Sequence, residues 1–168
     1  PWKKILLPIY KSPHSARAFD HLIKINWSKE VHFTVVTVIE DIGEDLHLEY
    51  ENESYSRQLR ERSEFMHKEG MALVKAHAEQ LNKKFGYEKA DFEVLRGHVR
   101  EQILSKARDA EMDLIVMGSH GRGFMEALAL GSVSQAVAQQ SHCSIEVVRV
   151  PSAQLAEVLD ELTGSAYK

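Results

Sequence analysis

The stretch Asp113–Gly118 (DLIVMG) is a short apolar run that ends on a glycine. Its apolar residues follow one another without alternating with polar ones, which is typical of a strand buried on both faces of a parallel sheet. Residues Lys4–Ile9 (KILLPI) show the same continuous pattern near the start of the chain. Both runs therefore predict strands of a parallel sheet that is covered on its two sides.

Outward from these runs, strand-like and helix-like segments alternate along the chain. A run rich in β-branched residues predicts a further strand at 31–39. Two more strands are predicted at 91–96 and 144–150. Apolar residues at helical spacing predict helices at about 13–25 and 54–84, and others that begin near 99 and 133. Gly70 argues against an unbroken second helix, because a glycine inside a helix costs about 1 kcal/mol relative to alanine. The order β-α-β-α-β-α-β-α-β predicts an α/β fold with an open five-stranded parallel sheet and helices on both faces.

The predicted α/β domain spans residues 1–150 and is followed by a tail at 151–168. Leu155, Leu159 and Leu162 give this tail the spacing of a short amphipathic helix. We expect the tail to cover an open edge of the sheet or to pair with another chain.

The composition of the chain argues against several classes of protein. It has 168 residues, of which 43% are hydrophobic and 27% charged, as expected for one soluble domain. A net charge of -4 argues against sequence-independent binding to nucleic acids, which depends on many lysines and arginines. No apolar run approaches the roughly 20 residues that span a bilayer, and no leader sequence is visible. We therefore expect a cytoplasmic protein that binds no membrane.

A structural metal site is not expected from the histidines and the cysteine. Cys143 is the single cysteine, which excludes a cysteine cluster and an intrachain disulfide. His14 and His21 are seven residues apart, and His67 and His77 are ten apart. Neither pair has the i, i+4 spacing of a two-histidine zinc site.

The most informative spacing in the chain starts at the end of the Asp113–Gly118 run. Gly118-Ser-His-Gly121 is followed, after nine residues, by Gly131-Ser132. Glycines 118 and 121 permit backbone angles that are closed to other residues and let a ligand approach closely. Gly131 and Ser132 precede the fourth predicted helix, whose free N–H groups and dipole favour an anion, and the Ser132 hydroxyl adds a donor. The pattern predicts a phosphate-binding loop at the carboxyl end of a strand, where open parallel sheets bind ligands.

Other interpretations of these residues remain open at this point. The chain has no G-x-x-x-x-G-K-[ST] motif, which argues against a P-loop NTPase. The glycines could form tight turns that serve only the fold, and Ser132 could serve only as a helix cap. His120 and Arg122 could contact a phosphate or be ordinary polar residues of a loop.

The chain resembles the universal stress protein family. The resemblance is carried by KILLPI at 4–9, VLRGH at 94–98, DLIVMGSHGRG at 113–123, LGSVSQAV at 130–137 and CSIEVVRV at 143–150. It covers residues 4–150 in the same order of elements. The spacing G-x2-G-x9-G-[ST] is the signature of the ATP-binding branch of that family, and it is complete in this chain.

The resemblance implies a Rossmann-like fold, a homodimer and a site for ATP. The dimer would form through the last strand, with Ile145, Val147 and Arg149. The nucleotide could carry Mg²⁺ or Mn²⁺ on its phosphates. The residues that the resemblance assigns to the nucleotide site are Pro8, Ile9, Tyr10, Val38, Met117, Gly118, Ser119, His120, Gly121, Arg122, Gly131, Ser132 and Val133.

The chain departs from the family after its first strand. The family usually has an aspartate there that contacts the nucleotide, whereas this chain has Tyr10 and Lys11. Tyr10 could stack on a base, or it could fill the base pocket and block it. Lys11 could offset phosphate charge if it turned inward.

Three functional hypotheses follow from these residues. The first is an ATP-binding stress protein that acts as a nucleotide-regulated homodimer. The second is a dimeric interaction module that binds no nucleotide because Tyr10 blocks the pocket, and that recruits a protein partner. The third, a phosphoester-processing enzyme that uses His120, has less support. No general base, water-positioning residue or phosphate-binding lysine is evident, so we expect no catalysis beyond slow ATP hydrolysis.

Overall fold

The computed structural model describes residues 2–40, 53–120 and 130–151. Five strands form one sheet in the order β3-β2-β1-β4-β5, and every pair of neighbours is parallel. The elements are β1 Lys4–Pro8, α1 Pro13–Lys24, β2 His32–Ile39, α2 Glu53–Phe85, β3 Ala90–Arg96, α3 Val99–Asp109, β4 Leu114–Gly118, α4 Ser132–Gln140 and β5 Ser144–Val148. The predicted Rossmann-like α/β fold is confirmed.

Helices cover both faces of this sheet, which explains the continuous apolar runs. Ile5 and Leu7 of β1 pack with residues of α1 and α2 in one buried cluster. Leu6, which lies between them, packs with residues of α3 and α4 in a second cluster. Successive side chains of a strand point to opposite faces, so a central strand covered on both sides needs apolar residues at every position.

The second helix is continuous through Gly70, contrary to the expectation from the sequence. A Cβ atom at this position would lie 3.0 Å from Cγ2 of Thr37 and 3.6 Å from Cγ1 of Val94. The missing side chain therefore lets α2 lie close to β2 and β3. The helix tolerates the local cost of glycine because the close packing offsets it.

Two boundaries of the predicted elements have a visible physical cause. α1 begins as predicted, because the Ser12 side chain accepts a hydrogen bond from the amide of Ser15 and Pro13 occupies the first turn. Asp113 lies just before β4 and not within it. Its carboxylate accepts hydrogen bonds of 2.8 Å from the amides of Lys3 and Lys4, which hold the pKa of Asp113 below its ordinary value.

The carboxyl-terminal strand lies at one edge of the sheet. β5 ends at Val148, two residues earlier than predicted. Ile145 and Val147 are half-buried against the α3 and α4 side, and Arg149 is exposed. Residues 152–168, nearly all of the predicted tail, lie outside the described residues. In the part of the chain that the structure describes, no helix combines the length and apolar character that a membrane span requires.

Candidate functional site

A cavity of about 220 Å³ lies at the carboxyl ends of the strands. β1 leads to β2 and β3 on one side of the sheet, and β4 leads to β5 on the other side. The winding therefore reverses between β1 and β4, which is where open parallel sheets form ligand sites. The predicted site residues that line this cavity are Pro8, Tyr10, Val38, Met117, Gly118, Ser119, His120, Gly131, Ser132 and Val133.

Three predicted site residues are not in this lining. Ile9 is 1% exposed and packs in the core with α1 and α2, so its side chain does not line the cavity. Its side chain alternates with those of Pro8 and Tyr10, and the strand period turns it away from the cavity. Gly121 and Arg122 lie outside the described residues.

Four residues that sequence analysis did not assign also line the cavity: Ser15, Glu40, Val99 and Ser134. Glu40 lies two positions after Val38 at the end of β2, so the strand period could have identified it. Val99 begins α3, and the rule used for α4, that a helix N-terminus after a strand faces the ligand, could have identified it as well. Ser15 gives no comparable signal in the sequence.

Gly118 has a structural role that differs from the predicted one. A Cβ atom at this position would lie 2.5 Å from the carbonyl carbon of His14 and 2.8 Å from the amide nitrogen of Ser15. Its φ lies outside the left-handed region, which only Gly86 and Gly97 adopt among the described glycines. Gly118 is therefore required because the backbone of α1 passes directly over the end of β4, and not because of an unusual backbone angle.

The N-terminus of α4 is open towards the cavity. Gly131 is its N-cap and, having no side chain, forms no capping hydrogen bond, whereas Ser132 is the first helical residue and not the cap. The amide of Gly131 donates to the carbonyl of Ser119 over 2.8 Å, which holds the helix against the end of β4. The amides of Ser132 and Val133 have no acceptor within the helix, so they can bind an anion in the cavity.

The hydroxyl of Ser134 also holds the N-terminus of α4 against the end of β4. It donates to the carbonyl of Ser119 over 2.6 Å and approaches the carbonyl of Gly131 at 3.0 Å. Ser134 is 2% exposed, so these contacts are shielded from water. The junction between β4 and α4 is therefore fixed before any ligand binds.

Tyr10 and Lys11 occupy different surroundings. Tyr10 is half-buried in the cavity wall, and its amide donates to the Ser15 hydroxyl oxygen over 2.8 Å. The ammonium group of Lys11 pairs with the carboxylate of Glu69 on α2, which lowers the pKa of Glu69 below its ordinary value. Lys11 is thus turned towards α2, away from the phosphate side of the cavity.

Two histidines and a serine form a polar chain that runs from the cavity lining to the buried His14. The hydroxyl oxygen of Ser119 lies 2.9 Å from Nδ1 of His14 and 3.0 Å from Nδ1 of His120. Nδ1 of His14 also accepts a hydrogen bond from the amide of Val150 over 3.3 Å. Burial, and secondarily the neighbouring His120 ring, lower the pKa of His14 below its ordinary value. Sequence analysis considered His14 only as a metal ligand and missed this role.

The described residues contain no metal-binding cluster. No group of three or more histidine, cysteine, aspartate or glutamate side chains in residues 2–40, 53–120 and 130–151 is arranged to hold a metal ion.

Comparison with known proteins places this chain in a family. The model of the universal stress protein family matches residues 1–149. Universal stress protein MJ0531 of Methanocaldococcus jannaschii is 31% identical over 152 residues, which cover 89% of this chain and 84% of that protein.

Solved structures share the same architecture. The structure of MJ0577, also from Methanocaldococcus jannaschii, superposes with a TM-score of 0.77 at 24% identity and covers 90% of this chain and 98% of that one. An Arabidopsis thaliana family protein with AMP bound superposes with a TM-score of 0.59 at 12% identity and covers 90% of this chain and 94% of that one. The matching fold and the family model lead to one conclusion: the chain belongs to the universal stress protein family.

Proposed function

We propose that the cavity binds an adenine nucleotide, preferably ATP, and that its occupancy regulates a cytoplasmic homodimer in the response to stress. The observation that carries this proposal is the uncapped N-terminus of α4, with the Ser132 and Val133 amides open to the cavity. A helix N-terminus with free amides is suited to a phosphate group. The AMP-bound Arabidopsis relative of the same fold supports the choice of adenine.

The charges in the cavity favour one orientation of the nucleotide. Glu40 is the one carboxyl side chain among the described residues that line the cavity. It follows β2, which lies two strands from β4, a separation of about 10 Å. The carboxylate repels phosphate and accepts hydrogen bonds from ribose hydroxyls or an amino group. The phosphates therefore point to α4, and the nucleoside lies over β1 and β2.

Tyr10 is compatible with this arrangement. The cavity persists with Tyr10 in its wall, between Pro8 and the end of β2. In this proposal the ring stacks against the base beside Val38 and Val99, which also line the cavity. An interaction module that is closed by Tyr10 is therefore the weaker proposal.

We propose a binding role without efficient catalysis. No lysine or arginine is among the described residues that line the cavity. A divalent cation such as Mg²⁺ or Mn²⁺ would accompany the phosphates as part of the ligand. The dimer would form through the edge of β5, where the half-buried Ile145 and Val147 offer apolar surface beside the exposed Arg149.

The test removes one amide from the proposed phosphate site. Ser132→Pro deletes the first helical N–H but keeps α4, because proline is well suited to the first helical position and Gly131 already has an extended backbone. A hydrogen bond to a charged group contributes about 1.5 to 3 kcal/mol, so we expect ATP affinity to fall by about 10-fold to 100-fold in calorimetric titration.

The matched control is Ser132→Ala, which removes the hydroxyl but keeps the amide. We expect its affinity to fall only a few-fold. Equal ATP affinity in the alanine and proline variants would contradict phosphate binding at α4. Absence of any nucleotide binding by the wild-type protein would overturn the proposed function itself.

A further inference from the structure

A second cavity, of about 360 Å³, lies between α2 and the sheet, on the face opposite to α3 and α4. We call it the α2 cavity. Its volume is within the range of about 300 to 1,000 Å³ that is typical of small-molecule sites. The residues that line it, all in the described part of the chain, are Tyr10, Lys11, Thr37, Ile39, Arg62, Phe65, Met66, Glu69, Gly70 and Leu73.

The α2 cavity forms because α2 is longer than the strands that it covers. α2 connects the parallel strands β2 and β3, so its N-terminus lies at the carboxyl edge of the sheet. A Cβ atom at Gly70 would lie 3.6 Å from Cδ1 of Ile39, the last residue of β2. Residues 53–69, which precede Gly70, therefore extend past the end of β2 by up to about 25 Å, at 1.5 Å per residue. The cavity is the space below this first half of α2.

Side chains from two other elements hold the first half of α2 in place. The ammonium group of Lys11, which follows β1, pairs with the carboxylate of Glu69. The guanidinium of Arg96, at the end of β3, donates to the hydroxyl of Ser63 over 2.7 Å. These contacts fix the position of the helix above the cavity.

The apolar stripe of α2 continues from the core into this cavity. In the second half of the helix, Val74, Ala78 and Leu81 are at most 1% exposed and pack against the sheet. In the first half, Phe65 is 64% exposed and Met66 is half-buried, although both face the cavity. An apolar group in the cavity would remove their surface from water, which is favourable in proportion to the area that is buried.

The charges around the α2 cavity favour an anionic ligand. Two cationic side chains, Lys11 and Arg62, and one carboxylate, that of Glu69, line it. Lys11 and Glu69 pair with each other, so the positive charge in excess is that of Arg62. Arg62 is exposed, which places its guanidinium on the solvent side of the cavity. A guanidinium binds a carboxylate through two parallel hydrogen bonds.

We propose that the α2 cavity is a second ligand site, which binds a small carboxylate with an apolar tail, of the kind of a medium-chain fatty acid. The carboxylate pairs with Arg62 on the solvent side, and the tail packs against Phe65, Met66 and Leu73. The flexible thioether of Met66 can adapt to the shape of such a tail. This site is separate from the proposed nucleotide site, because the linings of the two cavities share only Tyr10.

The test uses octanoate as the probe and NMR of protein labelled with carbon-13 in the methionine methyl groups. Met66 lines the α2 cavity, Met117 lines the proposed nucleotide site, and Met112 is buried in the core. Their methyl signals therefore report which cavity is filled. We expect the Met66 signal to shift and to reach half-saturation at about 1 mM octanoate or below, while the signals of Met112 and Met117 stay in place.

Two related probes test the chemical class of the ligand. Hexanoate, which has a shorter tail, should bind about 15-fold more weakly, because each buried CH₂ group raises the affinity about fourfold. Octanol has the same tail without the carboxylate. It should bind about threefold to tenfold more weakly than octanoate, which is the expected contribution of a partly exposed ion pair with good geometry.

A pair of variants tests the role of Arg62. Arg62→Gln removes the charge and keeps a good helix-forming residue at an exposed position, so the protein should fold normally. We expect its affinity for octanoate to fall by about threefold to tenfold. The matched control is Arg60→Gln, on the same exposed part of α2 but outside the lining of the cavity. Its affinity should stay within about twofold of wild type, because solvent screens a distant charge.

Several outcomes would overturn the inference. Absence of a saturable Met66 shift would show that the α2 cavity does not bind an apolar carboxylate. A shift of Met117 in place of Met66 would put octanoate in the other cavity. Equal affinity for octanol and octanoate, or equal losses in Arg62→Gln and Arg60→Gln, would show that Arg62 does not bind the carboxylate.

Discussion

The N-termini of α1 and α4 lie at the same edge of the sheet but are capped differently. At α1, the Ser12 side chain accepts a hydrogen bond from the amide of Ser15, and Pro13 supplies no amide. At α4, Gly131 caps without a side chain and leaves the first amides open to the cavity. Both helices have the same backbone dipole, so capping decides which terminus can bind an anion.

The N-termini of α1 and α4 also contact β4 differently. Substitutions at these contacts are expected to have the largest effect, which is on the free energy of unfolding. A Cβ atom at Gly118 would lie 2.5 Å from the backbone of α1, whereas one at Gly131 would lie 3.1 Å from the carbonyl oxygen of Ser119. We expect Gly118→Ala to lower the free energy of unfolding by about 3 kcal/mol, because neither backbone can move easily. Gly131→Ala should cost about 1 kcal/mol. Urea unfolding would measure both, and a reversed order would contradict the described packing.

The second largest effect is expected from adding a side-chain cap to the N-terminus of α4, which should weaken nucleotide binding. In Gly131→Ser, the new hydroxyl can accept from the α4 amides, as Ser12 does at α1, and so competes with phosphate. We expect the ATP affinity to fall about tenfold, or about 1.4 kcal/mol, relative to Gly131→Ala, which has the same Cβ atom without the hydroxyl. Calorimetric titration provides the measurement.

The reciprocal change at α1 is the control for this comparison. Ser12→Ala removes the cap, so it should lower the free energy of unfolding by about 1 kcal/mol. Its ATP affinity should stay within about twofold of wild type. If Ser12→Ala weakened ATP binding as much as Gly131→Ser, the two termini would not differ in function, and the comparison would fail.

The smallest expected effect is the pH dependence of stability that comes from His14. Its lowered pKa keeps the folded ring neutral, whereas the unfolded ring takes up a proton below its ordinary pKa of about 6.5. The unfolded state therefore binds more protons than the folded state at low pH. The contribution of the neutral His14 to the free energy of unfolding is complete above about pH 6.5 and is lost as the pH falls below that value. Urea unfolding at pH 7.5 and 5.5 should show a greater loss in wild type than in His14→Asn. An equal loss in wild type and His14→Asn would contradict this role of His14.

Much of the site could be predicted because, in a parallel sheet, the loops that follow the strands lie at the same edge. Gly131 and Ser132 were assigned to the cavity from a spacing within one loop, and Val133 through the resemblance to the family; all three line it. Val38 was assigned through the resemblance to the family, and its place at the end of a strand explains its presence. The carboxyl ends of parallel strands share one edge, so residues far apart in sequence are brought together without any information about their contacts.

Single side chains were predicted less well, because their directions depend on partners from other elements. Ile9 was assigned to the site, but the strand period turns it into the core. Lys11 turns to Glu69, which is 58 residues away. The hydrogen bond between His14 and Ser119 joins residues 105 positions apart, and no local pattern indicates such a pair.

By itself, the sequence determined the order of the elements, the two-sided burial of the sheet and the loops that meet at its carboxyl edge. These depend on the period of apolar residues and on caps, which are local properties of the chain. Only the tertiary structure decided that Gly118 makes room for α1, that Gly70 lets α2 reach the sheet, and that the Val150 amide donates to Nδ1 of His14. Such contacts are set by the close packing of distant segments, and the local sequence does not indicate them.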